Sequence, residues 1–495
     1  MIKNYDLFIN GEFRQTGKKQ KVIDPSSGAV IAEAGVAGKN EVEAALESAR
    51  FAFDSGIWPG LKLEERKKFI LKISRGILDK AAELANLESL NSGKPIKETT
   101  FMDIPSGAKA FEYVSNNLEK FLEVESPKLE AEAEAKLIRE PLGVAVLIVP
   151  WNYPLLIACW KLASALAAGN TVILKPSSLT PLTALELGKI ICQAGLPKGA
   201  VNILNASGES IGRQLCSDSR VDMISFTGSN RAGKMILGYA SQKVKKTIME
   251  LGGKSASIIF ADADLEAAVN GSLCSIFLNQ GQMCTAMSRI LVEEKIYDKF
   301  ADAFAAKAKR IKLGIASDFQ TQIGPLISAD KRKKVIQYVE KAKSEGIKLA
   351  CGGEIPQEAG LKNGFFFEPT VFIDVDRRAE IFQEEVFGPV ACVSKFSSQE
   401  EALELTNATD FALAACIWTE NLNLAEGLAG RINAGTIWIN TYGMFYNELP
   451  FGGFKQSGFG KELGKEGFLE YTRLKNIVID KTKEAKPIVN YWYGL

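Results

Sequence analysis

The sequence predicts an α/β protein: a Rossmann-like, mostly parallel sheet followed by a second α/β unit. Three observations carry this. From Gly143 onward, short apolar runs alternate with stretches of helical periodicity, the pattern of parallel strands covered by helices on both faces. The chain has 495 residues, too many for one core at roughly 100–200 residues per domain. Apolar residues make up 46% and charged residues 24%, an ordinary globular balance.

The elements follow in order. Leu7–Phe13 and Lys21–Ile31 read as hairpins, the second turning at Asp24-Pro25-Ser26-Ser27-Gly28. Apolar spacing predicts helices over about Glu41–Phe53, Leu63–Leu90 and Thr100–Phe121, and Pro127 ends that pattern. Leu129–Ile138 alternates acidic and small residues, as an exposed or inter-subunit strand would. Strands are then expected at Val144–Val149, Thr171–Leu174, Val201–Leu204, Met223–Phe226 and Lys246–Met249. Helices are expected between them at Leu155–Ala168, Pro181–Ala194, Ser210–Ser217 and Arg231–Ala240. A second α/β series runs from about Ser255 to Asn440, and Thr472–Asp480 reads as a last strand. The apolar tail KPIVNYWYGL is expected to pack on another segment or subunit.

Composition excludes several chemistries. There is no histidine, so Ser-His-Asp triads, Cys-His dyads and His-ligated zinc are out, and acid–base work falls to Glu, Asp, Lys, Tyr or Cys. Lys+Arg is 60 and Asp+Glu is 59, which gives no reason to expect a nucleic-acid partner. The 8 cysteines include no C-x-x-C pair, so no metal is expected, and reduced thiols in a cytoplasmic protein are the default. The N-terminal segment lacks the apolar core of a secretory signal. One charge-free stretch, PLGVAVLIVPWNYPLLIACW, is long enough to span a bilayer. Pro141, Pro150 and Pro154 interrupt it, and Asn152 stands at its centre. Proline removes backbone donors, so a buried strand, a sharp turn and a buried helix are expected rather than a membrane span.

A parallel sheet binds ligands at the carboxyl ends of its strands. That directs attention to the loops at Pro150–Pro154, Lys175–Leu179, Asn205–Glu209, Thr227–Asn230 and Glu250–Lys254. Gly228-Ser229-Asn230-Arg231-Ala232-Gly233-Lys234 spells GxxxxGK, but Met235 stands where a P-loop needs a Ser or Thr for magnesium. A nucleotide triphosphatase is therefore disfavoured, although the glycine turn can still offer N–H groups to a diphosphate. No GxGxxG occurs. Cys284 lies among glycine and amides in Asn279-Gln280-Gly281-Gln282-Met283-Cys284, which indicates an unusual backbone. Alone it would pass as a small core residue. Glu250, at a strand end before Gly252 and Gly253, would alone pass as a loop charge. Lys331-Arg332-Lys333-Lys334 reads as the solvated face of a helix beginning near Ala329.

Taken together, WNYP at 151–154, KPS at 175–177, FTGS at 226–229, ELGGK at 250–254, NQGQMC at 279–284, EEVFGP at 384–389 and PFGGFKQSG at 450–458 resemble the aldehyde dehydrogenase superfamily. The resemblance runs from Phe8-Ile9-Asn10-Gly11 to Leu474-Lys475-Asn476. It implies a thiolate nucleophile at Cys284. It implies an oxyanion site from the Asn152 amide and the Cys284 N–H, and Glu250 as the base that activates water. Glu462 matches a proton-relay glutamate of some members. A glutamate at 250 favours hydrolysis over transfer to coenzyme A.

For the cofactor, NAD or NADP, the resemblance implies Trp151, Lys175, Ser178, Gly228, Ser229, Gly233, Glu385 and Phe387. Ser178 stands where many NAD-preferring members carry a glutamate, so a 2′-phosphate is expected to be tolerated. Tyr153 and Trp160 match aromatics of betaine-aldehyde and aminoaldehyde dehydrogenases, Phe451 stands where those often have tryptophan, and Met283 is expected to line the pocket. Leu278 departs from the aromatic often found there, and Phe445 and Tyr446 are candidate replacements. Such a box suits a quaternary ammonium, and equally an apolar or aryl aldehyde.

The implied division is 1–121 with 141–254 for cofactor binding, 255–470 for catalysis, and 122–140 with 471–495 as a small β oligomerisation element of a homodimer or homotetramer. A non-catalytic protein that keeps the fold is the alternative from another class.

Overall fold

The structure, a computed structural model, describes residues 2–130 and 133–481. Among these, two large sheets organise the chain. The first has the order Gly458–Phe459, Lys246–Glu250, Met223–Thr227, Val144–Ile148, Thr171–Lys175, Val201–Ile203, Leu7–Ile9, Glu12–Arg14. Its five middle strands are parallel and its outer ones antiparallel. The strand predictions from Val144 to Met249 therefore hold to within a residue or two. Along Val144–Val149, alternate side chains enter two separate cores, which is why the run is apolar throughout rather than alternating.

The second sheet runs Lys348–Cys351, Thr370–Ile373, Val390–Phe396, Arg289–Glu293, Ala256–Ile259, Ala414–Trp418, Thr436–Ile439. It is parallel except for its first strand. Ile258 and Leu291 face one core while Ile259, Ile290 and Val292 face the other. A separate antiparallel ribbon pairs Ala133–Pro141 with Thr472–Asp480 along their whole length.

The charge-free stretch is the strand Val144–Ile148, a turn, and the fully buried helix Pro154–Ala167. Among the described residues no helix is long and apolar enough to cross a membrane. In the first sheet the strand order reverses at Val144–Ile148: the next two strands add on one side and the following two on the other. The crevice beyond that reversal lies between the loops carrying Trp151-Asn152 and Gly228-Ser229, where open α/β sheets bind ligands.

Some expectations need correction. The stretch Leu63–Leu90 is two helices, Leu63–Asp79 and Ala81–Ser92. Lys80 leaves helical geometry at φ −108°, ψ 16°, with no glycine or proline to mark the break. The helix predicted from Thr100 starts at Ile104 and follows a π-helical turn at Thr99–Asp103. The basic run does lie on a helix, Ala329–Ser344, capped by Ser328. However, Lys331 is only half exposed, with Nζ 5.6 Å from the Trp151 ring and 5.7 Å from the Phe387 ring. The apolar tail, residues 486–495, lies outside the described residues.

Candidate active site

Cys284 is carried by a tightly specified turn. The helix Leu265–Phe277 ends, and Asn279, Gln280 and Gly281 then take φ of 46°, 58° and 70°. Two successive non-glycine residues in the left-handed region cost on the order of 1–3 kcal/mol each and persist only where surroundings hold them. Here they are held. Gln280 Nε2 donates to the Gly93 carbonyl at 2.9 Å, and Gln282 Oε1 accepts from the Ile327 N–H at 3.0 Å. A Cβ at Gly281 would lie 2.2 Å from the Gly388 carbonyl oxygen, so only glycine permits that approach. The unusual backbone expected from this motif is present.

The same turn meets the loop of Asn152. Asn152 Nδ2 donates to the Gln282 carbonyl at 2.8 Å, and Asn279 Nδ2 donates to the Asn152 carbonyl at 3.0 Å. Asn152 is 5% exposed, and the bond from Nδ2 to the Gln282 carbonyl offsets part of the cost of burying its amide. Its second amide hydrogen has no protein acceptor among these bonds.

Glu250 arrives from the first sheet. It ends the strand Lys246–Glu250, paired with Thr227 and Gly458. Three residues on, the backbones touch: a Cβ on Gly253 would lie 2.2 Å from the Cys284 carbonyl oxygen. Glu250 is buried, and its Oε1 has no hydrogen-bond partner among the described residues. Burial foremost, and then the Glu462 carboxylate, hold its carboxyl well above the usual range, against Lys161 and Lys461. Burial pushes the Cys284 thiol up to about 12, with Glu385 and Glu250 adding to it. Cys284 is therefore a thiol in the unliganded site, and its proton needs a nearby acceptor.

Glu462 is buried and bonds Lys161 Nζ at 2.5 Å, which also reaches Ser225 Oγ at 2.6 Å. Glu462 Oε2 is left without a hydrogen-bond partner among the described residues. Glu250 thus stands close enough to both Cys284 and Glu462 for their charges to act on one another, and the Asn152 amide bonds the turn that carries Cys284. Lys161 was not anticipated, though a lone cation inside an apolar helix is a legible sign.

The surfaces expected for the cofactor lie on the first sheet's carboxyl edge. Ser229 caps the helix Asn230–Ala240 through the Ala232 N–H. A Cβ on Gly233 would lie 2.7 Å from Leu251 Cδ2, so glycine there lets the helix close on the strand. Lys175 is buried, its Nζ donates among the described residues to the Pro176 carbonyl alone, at 3.2 Å, and burial lowers its pKa to about 8. The Gln20 side-chain amide donates to the Ser178 carbonyl. Trp151 and Phe387 meet edge to face at 5.2 Å, and Glu385 accepts the Gly253 N–H at 2.9 Å. Burial raises Glu385 to about 7, against that N–H, Lys331 and Lys254. A capped helix N-terminus, an under-bonded buried lysine and an aromatic pair along one edge fit a dinucleotide.

The pocket aromatics are only partly assembled as expected. Trp160 lies 6.2 Å from Phe451 and 6.1 Å from Phe445, and Phe445 lies 5.3 Å from Phe451. Trp438 joins at 5.5 Å from Phe445, and Tyr442 at 5.3 Å from Trp438. Phe445 does supply a ring; Trp438 and Tyr442 were not foreseen, because only the fold brings their strand end here. Tyr446 is exposed. Met283 is 4% exposed, within the second sheet's core, with Sδ accepting from the Tyr442 hydroxyl at 3.9 Å. Tyr153 packs against the same two cores as these rings, and Lys94 Nζ, ion-paired with Asp103 at 2.5 Å, sits 3.4 Å from its ring centroid.

The chain as a whole is similar to known proteins. Residues 13–477 match the model of the aldehyde dehydrogenase family. Betaine aldehyde dehydrogenase of Bacillus subtilis is 45% identical over 491 residues, covering 99% of each chain. Human retinal dehydrogenase 2 is 39% identical over 483 residues, covering 97% of this chain and 92% of that protein. The crystal structure of Staphylococcus aureus betaine aldehyde dehydrogenase in complex with NAD+ superposes with a TM-score of 0.95. It is 38% identical and covers 99% of this chain and 96% of that one.

Proposed function

The chain belongs to the aldehyde dehydrogenase family of nicotinamide-dependent enzymes, and from that premise we propose that it oxidises betaine aldehyde or a related aminoaldehyde to the carboxylic acid. The observation that carries the chemistry is the meeting of the Cys284 turn, the Asn152 amide and the Glu250 strand end.

In this reading Glu250 takes the Cys284 thiol proton, and Sγ adds to the aldehyde carbon. The carbonyl π electrons move to oxygen, and the Asn152 amide and the Cys284 N–H hold that oxyanion. NAD or NADP, when bound, supplies the hydride acceptor that turns the thiohemiacetal into a thioester. Lys175, Ser178, Gly228, Ser229 and the helix N-terminus behind Gly233 would hold its adenosine and diphosphate; Trp151, Glu385 and Phe387 would hold its nicotinamide half. Glu250 passes the thiol's proton on towards Glu462 and, ionised again, takes a second proton from water as the water oxygen attacks the thioester, which releases the acid and returns Sγ as a thiolate. The buried Lys161–Glu462 pair offers that proton a path from Glu250.

Trp160, Phe451 and Phe445 support a substrate cation, each ring face contributing about 0.5–2 kcal/mol once desolvated. The betaine aldehyde dehydrogenases among the relatives support the same reading. A second reading, a neutral apolar or aryl aldehyde, is favoured by one observation: the ammonium on Tyr153 takes one of its faces. Asp103 balances that charge, which keeps the first reading ahead.

The test is reduction of NAD+ and NADP+ across betaine aldehyde, aminoaldehydes, alkyl aldehydes and aryl aldehydes, with Cys284→Ala beside the wild type. We expect the highest kcat/KM with a cationic aldehyde and no turnover in the variant. A ranking led by neutral aldehydes would transfer the assignment to the second reading. Undiminished turnover in Cys284→Ala would overturn the mechanism.

A further inference from the structure

Glu98 is a buried carboxylate that the mechanism leaves unused. It ends the helical turn Ile96–Glu98, just before the π-helical turn Thr99–Asp103. It is 4% exposed, and its two oxygens accept the backbone N–H of Asn279 at 3.1 and 3.3 Å. Burying a carboxylate is costly unless it is well bonded, and an apolar side chain would serve packing better there. Burial raises its pKa to about 7, with Lys94 opposing the rise and Asp103 adding to it.

What it bonds is informative. Asn279 opens the left-handed turn, and that conformation directs its N–H at Glu98. The Asn279 side chain in turn reaches the carbonyls of Asn152 at 3.0 Å and Gln282 at 3.4 Å. Gln282 is the residue whose carbonyl holds the Asn152 amide. One carboxylate, from a segment 181 residues earlier in the chain, thus sits behind both loops that would carry the thiol and the oxyanion donor.

We propose that Glu98 is a positioning residue for aldehyde oxidation: by accepting the Asn279 N–H it holds the turn at 279–281, and so fixes Cys284 against the Asn152 amide. This rests on the reading that Cys284 and Asn152 do the chemistry. Glu98 touches neither substrate nor cofactor and acts through the turn. Displacing reacting groups by about 1 Å costs on the order of a hundredfold in rate, and that sets the scale of its effect.

Three variants separate position from bulk stability. Glu98→Gln keeps an acceptor oxygen at the same reach; Glu98→Ala removes it; Glu98→Asp keeps the charge beside Lys94 but withdraws the oxygen. We expect Glu98→Gln to retain kcat within about threefold, and Glu98→Ala and Glu98→Asp to lose about ten- to a hundredfold in kcat with little change in the KM for aldehyde. The rate of iodoacetamide alkylation of Cys284, read by mass spectrometry without aldehyde or cofactor, is expected to shift severalfold in the Ala and Asp variants and not in Gln. Should Glu98→Ala fail to fold, Glu98→Asp carries the comparison. Wild-type kcat and alkylation in Glu98→Asp would overturn the proposal, as would a loss in Glu98→Gln equal to that in the other two. Because alkylation needs no turnover, it reads the turn even if the aldehyde reading fails.

Discussion

At the scale of single residues, the site is governed by burial. Asn152 has a spare amide hydrogen beside the turn that carries Cys284. Removing one oxyanion donor typically costs about 3 kcal/mol, so Asn152→Ala should lower kcat by roughly a hundredfold or more while leaving cofactor affinity intact, checked by steady-state kinetics and a binding titration. Glu250 acts as a base only when ionised, and burial holds its carboxyl well above the usual range. Hydrolysis of the thioester is therefore expected to rise with pH through that raised value and to be lost below it. Glu250→Gln should slow both the burst of reduced nicotinamide and the steady turnover, by roughly 10²–10⁴-fold; an unchanged steady rate would remove Glu250 from the mechanism. At the adenosine end, Ser178→Glu places a carboxylate near the expected 2′-phosphate. Like charges at close range repel by several kcal/mol in a partly dry site, so kcat/KM should fall about tenfold or more with NADP+ and little with NAD+. Equal losses with both cofactors would count against Ser178 as the discriminating position.

At the scale of elements, the chemistry depends on close backbone approaches. The segment after the strand Lys246–Glu250 comes so near the Cys284 turn that a Cβ at Gly253 would lie 2.2 Å from a carbonyl oxygen. Gly253→Ala must push the two apart, and a shift of this kind is expected to cost on the order of a hundredfold in kcat, with a lowered Tm. A variant with wild-type kcat would show that the two elements can separate without consequence. The elements themselves were legible to different degrees. The central strands of the first sheet announce themselves because both faces are buried and their residues are mostly apolar, as in VAVLI at 144–148 and TVILK at 171–175. The break at Lys80 and the π-helical turn at Thr99–Asp103 carry no local signal. The π turn brings Asp103 onto Lys94, and only tertiary contact rewards that geometry.

At the scale of the molecule, the ribbon of Ala133–Pro141 and Thr472–Asp480 is unlike the rest. Two strands alone are marginal in water, yet Leu474, Ile477 and Val478 are 52%, 38% and 60% exposed on it. We infer that this ribbon joins subunits, with 1–121 and 141–254 serving the cofactor and 255–470 the chemistry. Placing charge there, as in Ile477→Asp with Val478→Asp, should shift the sedimentation of the protein to a smaller species. An unchanged mass would leave the ribbon without a bridging role.

Residue order alone specifies much of this protein. Periodicity lays out the first sheet, the absence of histidine restricts the chemistry, and the seven motifs carry the resemblance to the family. All of these are local, written in neighbouring residues. The fold decides what is not local. Glu462 meets Lys161 across 301 residues, Glu98 meets Asn279 across 181, and Lys94 comes to rest on Tyr153. A carboxylate's strength, a thiol's ionisation and a ring's free face depend on what water has been excluded and which charge stands opposite. Those are set by segments far apart in the chain, so no reading of one stretch contains them.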